Sequence, residues 1–301
     1  MHLPGAHWAV VFMLSFDMPL FTFLSGYVLP GREGAKPFAF LRGKALVLLV
    51  PYFAWVTVEM LQRRTPPALW ATRLFNAAIQ PHLGYQMWYL WVLFALFVVF
   101  TLARLVSKSD IWLGALALAM AATLFLAAPT VAGIDKIVWL FPFFVLGYLC
   151  GKHRAVLRRY DLVWAVGGVV GFAALTWLRL PGVVPAFATA IAGISACWAL
   201  YRLLPKPLIS AQAWVGRKTL GIYGGQMVLL PYLVVGAGWP GVIASEALVM
   251  AGATLLAWVL GFTAFTRAAF LGQWPKSVRA PSAPAIAPTP EPLPAAEERD
   301  R

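Results

Sequence analysis

Nine long apolar runs, separated by short polar or basic segments, are the feature that most constrains the fold of this 301-residue chain. Each run approaches the roughly 20 apolar residues that a helix needs to cross a lipid bilayer. Membrane strands would alternate apolar and polar positions, and these runs do not alternate. The sequence therefore predicts an all-α, polytopic membrane helix bundle with about nine transmembrane helices. The runs cover about residues 8–30, 44–61, 88–104, 111–128, 137–151, 162–178, 184–202, 219–236 and 241–264.

The composition excludes most other classes of protein. Apolar residues make up 61% of the chain and charged residues 12%, whereas a soluble domain is nearer one half apolar and one quarter charged. A disulfide scaffold, a coiled coil, a disordered chain and an ordinary cytosolic enzyme are thereby excluded. The two cysteines, Cys150 and Cys197, lie inside apolar runs and fit no metal or disulfide spacing, so we predict no metal site.

The net charge of +13 follows from membrane topology rather than from nucleic-acid binding. A nucleic-acid binder would gather Lys and Arg on one soluble face, whereas here they form short clusters between the runs. If the runs cross the membrane alternately, all but five of the 24 Lys and Arg residues lie on one side. By the positive-inside rule, this side and the C-terminus are predicted to be cytoplasmic and the N-terminus outside. The exceptions are Arg63, Arg64, Arg73, Lys136 and Arg179.

Two segments lie outside the runs. Residues 62–87 form a loop in which Trp70, Leu74, Ala77 and Ala78 make one apolar stripe, as in an interfacial helix. Residues 266–301 are rich in Pro and Ala and end in a charged run, a composition typical of a disordered cytoplasmic tail. The chain is therefore predicted to divide into a transmembrane domain, 1–265, and a tail, 266–301.

Polar groups inside the runs are candidates for function because lipid penalises them. Asp17 lies near the middle of the first run, beside Pro19, which is expected to bend the helix. Asp17 is either a functional carboxylate or a hydrogen-bond acceptor that holds this bend. Ser25, with the glycine that follows it, is typical of close helix packing. Tyr223 and Gln226 are further polar residues inside the eighth run.

The chain has four histidines, and histidine is the usual general base near neutral pH. His2 and His7 precede the first run, close to the predicted outer surface. His82 lies in the outer loop and His153 in a basic cluster. Since a lone exposed histidine is more often inert, spacing alone singles out none of the four.

Five segments together carry a resemblance to a known family. They read FDMPLFTFLSGYVL, FAFLRGKALVLLVPYFAW, MWYLWVLFAL, FPFFVLGYLCGK and WVGRKTLGIYGGQ, in this order along the chain. The ordered set resembles the acyltransferase 3 family, in particular its fucose 4-O-acetylase-like branch, over about residues 1–265. The resemblance implies a multi-pass protein of the bacterial inner membrane. It also implies transfer of an acyl group, acetyl above all, from acyl-CoA to a hydroxyl of a cell-envelope sugar or glycan.

The resemblance also bears on topology. Members of the family have ten helices and an N-terminus inside the cell. Without the first of these helices, nine would remain and the N-terminus would lie outside, which is the topology that the basic residues predict. Either a short N-terminus is translocated without a preceding helix, or one further helix precedes Met1.

The resemblance implies a role for several residues. In the family a catalytic His lies near the outer end of the first helix, and His2 is closest to its spacing, with His7 second. Asp17 would orient that base through a hydrogen bond, as a carboxylate orients imidazole in a triad. Arg42 and Lys44, at the cytoplasmic mouth, would bind the phosphates of CoA, although positive-inside topology explains them equally well.

The implied partners are membrane lipid, the glycan acceptor and acyl-CoA as a substrate, with no bound cofactor and no nucleic acid. Ser25, Tyr223 and Gln226 would belong to the substrate side of the site. Trp88 and Tyr89 would face the sugar, or would anchor the third run at the membrane interface.

The sequence departs from the family at several positions, and two alternatives stay open. Asp17 and Gln226 stand where the family usually has His, and Lys44 and Val47 where it has two arginines. These changes fit a catalytically inactive relative as well as an enzyme. A bundle with an intramembrane Asp17 also fits an exporter of a glycan or lipid intermediate, although no internal repeat of the transporter kind is present.

Overall fold

The computed structural model describes residues 16–31, 36–79, 87–126, 134–178, 182–216, 218–229, 232 and 238–274. Within these ranges the regular secondary structure is helical throughout, without a strand, so the predicted all-α class is confirmed. The helices are α1 (Asp17–Tyr27), α2 (Pro37–Gln62), α3 (Trp70–Ile79), α4 (Trp88–Val106), α5 (Asp110–Leu126), α6 (Ile134–Lys152), α7 (Arg154–Leu157), α8 (Asp161–Leu178), α9 (Val183–Leu203), α10 (Lys206–Gly216), α11 (Thr219–Leu229), α12 (Gly238–Val259) and α13 (Ala264–Leu271), with 3-10 turns at Pro67–Leu69 and Arg158–Tyr160.

Each of the nine predicted runs contains a helix, namely α1, α2, α4, α5, α6, α8, α9, α11 and α12. By length and composition, four of the described helices are able to cross a membrane: α2, α4, α6 and α8. Shorter apolar stretches occur at Asp110–Leu124, Val183–Trp198 and Ile243–Val259. The chain is therefore a multi-pass membrane bundle.

The closest approach between helices joins α1 to α6. A Cβ atom on Gly26 would collide with the backbone carbonyl oxygen of Phe144. In return, a Cβ on Gly147 would collide with the carbonyl oxygen of Phe23. Gly147 and Gly151 form a GxxxG pattern on α6, which lets two helices pack backbone to backbone in lipid. The interpretation of the Ser25–Gly26 pair as a packing feature is confirmed for its glycine.

Contacts along the helices fix their relative directions. Phe40, near the start of α2, contacts Phe97 in the middle of α4, with ring centroids 5.8 Å apart. Trp55, further along α2, lies against α11 beside Tyr223, which interacts electrostatically with Tyr89 at the start of α4. Helices α2 and α4 are therefore antiparallel, as the predicted alternate crossing of the membrane requires.

Lys and Arg concentrate at one end of the bundle, which we call the basic end. It contains the C-terminal ends of α4 and α6 and the N-terminal ends of α2, α5 and α11. Its described basic residues include Lys36, Arg42, Arg104, Lys108, Lys152, Arg154 and Lys218. The opposite end has Arg63, Arg64, Arg73 and Lys136. The Lys and Arg residues that alternate segments of the sequence contain are thus gathered at one end of the folded bundle.

An ion-pair network ties three helices together at the basic end. Asp110, the first residue of α5, accepts from Lys152 at 2.7 Å and from Arg104 at 3.3 Å. Arg104 also donates to the Tyr148 hydroxyl at 3.1 Å and to the Lys108 carbonyl oxygen at 2.7 Å. These contacts use Arg104 to join the turn between α4 and α5 to the end of α6. No pattern in the sequence predicted this network.

A helix was expected in the loop after α2, and α3 confirms this prediction. Its apolar stripe, however, does not face only lipid. Ala77 is fully buried, and the Tyr52 hydroxyl of α2 donates to its carbonyl oxygen at 2.8 Å. Trp70 donates from its indole nitrogen to the Thr65 carbonyl oxygen at 3.0 Å. Part of the apolar stripe therefore packs on the protein, while Phe75 is exposed.

The packed part of the chain extends beyond the predicted boundary at residue 265. Helix α13 lies against α2, where the ring of Trp55 is 5.3 Å from that of Phe270. Gly272 ends α13 with a φ of +63°, a left-handed conformation that favours glycine. The indole of Trp274 then donates to the Leu46 carbonyl oxygen at 2.9 Å. The rest of the predicted tail, 275–301, lies outside the described residues.

The close approach of α1 and α6 predicts the effect of Gly147→Ala. The new methyl group must push the Phe23 backbone away, so we expect the free energy of unfolding to fall by about 1–3 kcal/mol. Denaturation in mixed detergent micelles measures this change. Gly114→Ala on α5 is the matched control, because its Cβ would meet no heavy atom within 4 Å. Equal stability of the two variants would contradict the packing argument.

The ion-pair network predicts the effect of Asp110→Asn. Losing the carboxylate leaves Arg104 and Lys152 facing each other, so we expect a loss of about 1 kcal/mol of unfolding free energy. The control is Asp135→Asn at the opposite end, where the carboxylate pairs only at 3.4 Å with the adjacent, exposed Lys136. The same micelle denaturation compares them. A control that lost as much stability as Asp110→Asn would refute a special role for the network.

Candidate functional site

Five polar side chains from three helices meet inside the bundle, and we call them the hydroxyl cluster. The Thr22 hydroxyl of α1 and the Tyr89 hydroxyl of α4 are hydrogen-bonded at 3.2 Å. Ser25, one helical turn after Thr22, lies close to the same phenol, and its hydroxyl donates to the Phe21 carbonyl oxygen at 2.9 Å. Asp17 of α1 and Tyr223 of α11 both interact electrostatically with Tyr89. The cluster combines one carboxylate with four hydroxyl groups in largely apolar surroundings.

The cluster lies where two groups of helices meet. Helix α1 packs against α6 and α9, whereas α11 packs against α2 and α12. Helix α4, which contributes Tyr89, packs against both α2 and α6. Tyr89 is the second residue of α4, so the cluster lies toward the end of the bundle opposite the basic end. Sites between helices of a bundle are common positions for ligand binding.

Glycines allow the helices that carry the cluster to come together. A Cβ on Gly224 would collide with the indole ring of Trp55, so only glycine lets α11 approach α2 at this level. The neighbouring residue is Tyr223, which thereby joins the cluster. On α1, Gly26 provides the close approach to α6 and leaves Thr22 and Ser25 directed toward α4.

Asp17 is partly buried at the first turn of α1. Its Oδ1 atom accepts from the backbone N–H of Met18 at 2.6 Å. Pro19 is buried in the same turn, where a proline is tolerated because the first N–H groups of a helix have no partner in it. The bend expected at Pro19 concerns the turn before it, which begins outside the described ranges.

The structure brings some of the predicted site residues together and separates others. Ser25 and Tyr223 join Asp17 in the cluster. Trp88 borders it, with its ring 6.1 Å from that of Tyr89 and beneath the Lys136 ammonium at 5.9 Å. Gln226 lies elsewhere, and its amide donates to the Met250 sulfur at 2.8 Å. Arg42 is exposed near the start of α2. His2 and His7 lie outside the described residues.

Lys44 lies at a different depth of the bundle from the cluster. Its ammonium nitrogen is 4.0 Å from the centroid of the Phe97 ring and 5.5 Å from that of Phe40. Phe97 is eight residues from Tyr89 on α4, which corresponds to about 12 Å along the helix axis. Lys44 therefore lies nearer the basic end, on the side where the sequence analysis expects the donor to enter.

Thr22 was missed by the sequence analysis, and Tyr89 was considered only as an acceptor contact or an interface anchor. One signal was available for Thr22, because residues three apart share a face of a helix and Ser25 follows it at this spacing. The contact between α1 and Tyr89 could not be predicted from a local pattern, because Tyr89 is 67 residues from Thr22 along the chain. Among the described residues, no group of three or more His, Cys, Asp and Glu side chains is placed to hold a metal ion.

A comparison with known proteins gives one match. A family model described as an acyltransferase domain, that of the acyltransferase 3 family, matches residues 1–262 and so includes the whole hydroxyl cluster. No curated protein and no solved structure matches the chain.

The surroundings of Asp17 predict how its variants affect stability. Asp17→Asn keeps an oxygen that accepts from Met18 and removes a charge that is costly to bury, so we expect stability equal to or above that of the natural chain. Asp17→Ala removes the acceptor and should be less stable by about 1 kcal/mol. Thermal unfolding in detergent ranks the three proteins. If Asp17→Asn proves as unstable as Asp17→Ala, the charge itself holds the fold, and its role is structural.

Proposed function

This chain belongs to the acyltransferase 3 family, and we propose that it is a membrane O-acyltransferase of the bacterial inner membrane. In this proposal it transfers an acyl group, acetyl in the first instance, from acyl-CoA to a hydroxyl of a cell-envelope sugar or glycan. The observation that carries the proposal is the family match over residues 1–262, which covers every element of the bundle up to α12. The hydroxyl cluster supports it as a polar site inside that region.

The reaction needs a base and an activated acyl group. The acceptor oxygen attacks the thioester carbonyl carbon while a base takes the proton of the acceptor hydroxyl. The C–S bond then breaks, and the CoA thiolate takes up the proton from the protonated base. Acyl-CoA and alcohol thus give ester and free CoA thiol, with no oxidation or reduction. The protein has to supply the base, hold the acceptor hydroxyl and bring the thioester to it.

In our proposal His2 or His7 is the base and Asp17 orients its imidazole. A partly buried carboxylate keeps one imidazole nitrogen protonated by accepting from it, which leaves the other nitrogen free to take a proton. Asp17 is the described member of this pair. Its position beside Tyr89 and Tyr223 supports a site for the acceptor at the end opposite the basic end.

The proposed binding site for acyl-CoA is supported by the positions of two basic residues. Arg42 and Lys44 lie on the first turns of α2, and Lys44 is held over the Phe97 ring. With the basic end facing the cytoplasm, as the positive-inside rule favours, CoA would reach this side while the acceptor occupies the other. The C-terminus would then be cytoplasmic. In this arrangement the pantetheine arm of CoA has to span the distance of about 12 Å along α4 that separates Phe97 from Tyr89.

The proposal is tested by assaying the purified full chain in proteoliposomes with isotope-labelled acetyl-CoA and an extract of cell-envelope glycans. We expect labelled ester and free CoA thiol to form in equal amounts. Asp17→Asn should lower the rate at least 100-fold, and one of His2→Gln and His7→Gln should do the same, because a misplaced or missing base removes most general-base catalysis. Arg42→Gln and Lys44→Gln should raise KM for acetyl-CoA with little change in kcat.

The matched control is His153→Gln, a histidine at the basic end whose imidazole faces Asp110 at 3.5 Å. It should keep full activity. Absence of ester with every acyl-CoA would contradict the proposal and leave two readings that the same vesicles separate. Movement of a glycan or lipid intermediate across the bilayer would identify an exporter. Neither ester nor movement would identify a catalytically inactive member of the family.

A further inference from the structure

The Tyr89 hydroxyl links α4 to α1. It is hydrogen-bonded to the Thr22 hydroxyl at 3.2 Å, and either oxygen can be the donor. Ser25, one turn later on α1, donates its hydroxyl proton to the Phe21 carbonyl oxygen of its own helix at 2.9 Å. The bond between Thr22 and Tyr89 therefore joins α1 to α4.

The hydrogen bond between Tyr89 and Thr22 is buried. The exposed fraction of Tyr89 is 7%, and that of Thr22 is 0%. The ring of Tyr89 also lies near neighbouring aromatic rings, with centroid distances of 6.4 Å to Phe21 and 6.1 Å to Trp88. These contacts suit the Tyr89 hydroxyl to holding other residues in place.

The Tyr89 hydroxyl binds the helix that carries Asp17. Thr22 follows Asp17 by five residues, about 7.5 Å along the axis of α1. One turn after Thr22, on the same side of the helix, α1 is fixed on α6 by the contact between Gly26 and Phe144. These two attachments determine the rotation of α1 about its axis and hence the direction of the Asp17 carboxylate. Across the junction of the helix groups, Tyr223 of α11 interacts with the same carboxylate.

We propose that Tyr89 is a positioning residue, whose hydroxyl, bonded to Thr22, holds α1 so that the Asp17 carboxylate faces the site between α1, α4 and α11. The inference rests on the proposed function for its kinetic consequence, because Asp17 is the group that would orient the base. It extends that function to a residue on a different helix, which supplies no atom to the reaction.

The kinetic test compares variants that keep shape and remove a hydroxyl. Tyr89→Phe and Thr22→Val should each lower kcat about 10- to 100-fold, since small displacements of a catalytic group have effects of this size. KM for acetyl-CoA should stay within about twofold of the natural value, because the donor site lies at another depth. Thr22→Ser retains the hydroxyl and should restore kcat to within about threefold.

The matched control is Thr101→Val on α4. Thr101 is also buried, but its hydroxyl donates to the Phe97 carbonyl oxygen of its own helix at 2.7 Å. We expect natural kinetics from this variant. If Tyr89→Phe keeps the natural kcat, or if Thr101→Val loses as much as Tyr89→Phe, the positioning role is overturned and the hydroxyl only contributes to packing.

A second measurement does not depend on turnover. Dicyclohexylcarbodiimide, an apolar reagent, modifies carboxyl groups within membranes, and mass spectrometry of the Asp17 peptide gives the rate. Tyr89→Phe should change this rate at least threefold, and Thr101→Val should not. Equal rates in all three proteins would refute the inference. An inactive natural chain with the expected carbodiimide rates would refute the proposed function and leave the positioning of Asp17 standing.

Discussion

The close packing of α1 on α6 is the contact on which the candidate site depends. In lipid, helices gain little from burying apolar side chains, so van der Waals contact between backbones and interhelical hydrogen bonds decide how they associate. Gly26 and Gly147 remove the side chains that would keep α1 and α6 apart. From the helix held in this way, Thr22, one turn before Gly26, hydrogen-bonds the Tyr89 hydroxyl of α4. The same contact that stabilises the bundle therefore orients the polar residues inside it.

The two ends of the bundle differ in both charge and chemistry. At the basic end, the ammonium of Lys152 and the guanidinium of Arg104 bind Asp110. These two charges therefore join helices to one another. Lys44 lies deeper, over aromatic rings. The hydroxyl cluster lies toward the other end, with the carboxylate of Asp17. A reaction between a charged donor and a neutral hydroxyl acceptor fits this division, because each substrate would meet the groups suited to it at its own end.

Several sequence predictions agree with the structure for reasons that are local. Each apolar run became a helix, because a stretch of this length and composition satisfies its backbone hydrogen bonds internally. The stripe that begins at Trp70 became α3, since its spacing follows the helical period. The packed region continues past the predicted boundary at residue 265, because α13 lies against α2 and the indole of Trp274 donates to the Leu46 carbonyl oxygen. That contact joins residues far apart in the chain and has no signature in composition.

By itself, the sequence determined the all-α class, the positions of the helices, the uneven distribution of charge and the family, because each depends on properties summed over neighbouring residues. It also singled out Asp17, since a carboxylate in an apolar run is costly wherever the helix packs. Only the tertiary structure decided which side chains surround that carboxylate. Tyr89 and Tyr223, which interact electrostatically with Asp17, are 72 and 206 residues further along the chain, and glycine contacts set the rotations of the helices involved. Such rotations depend on three-dimensional packing between helices, which no local pattern of residues encodes.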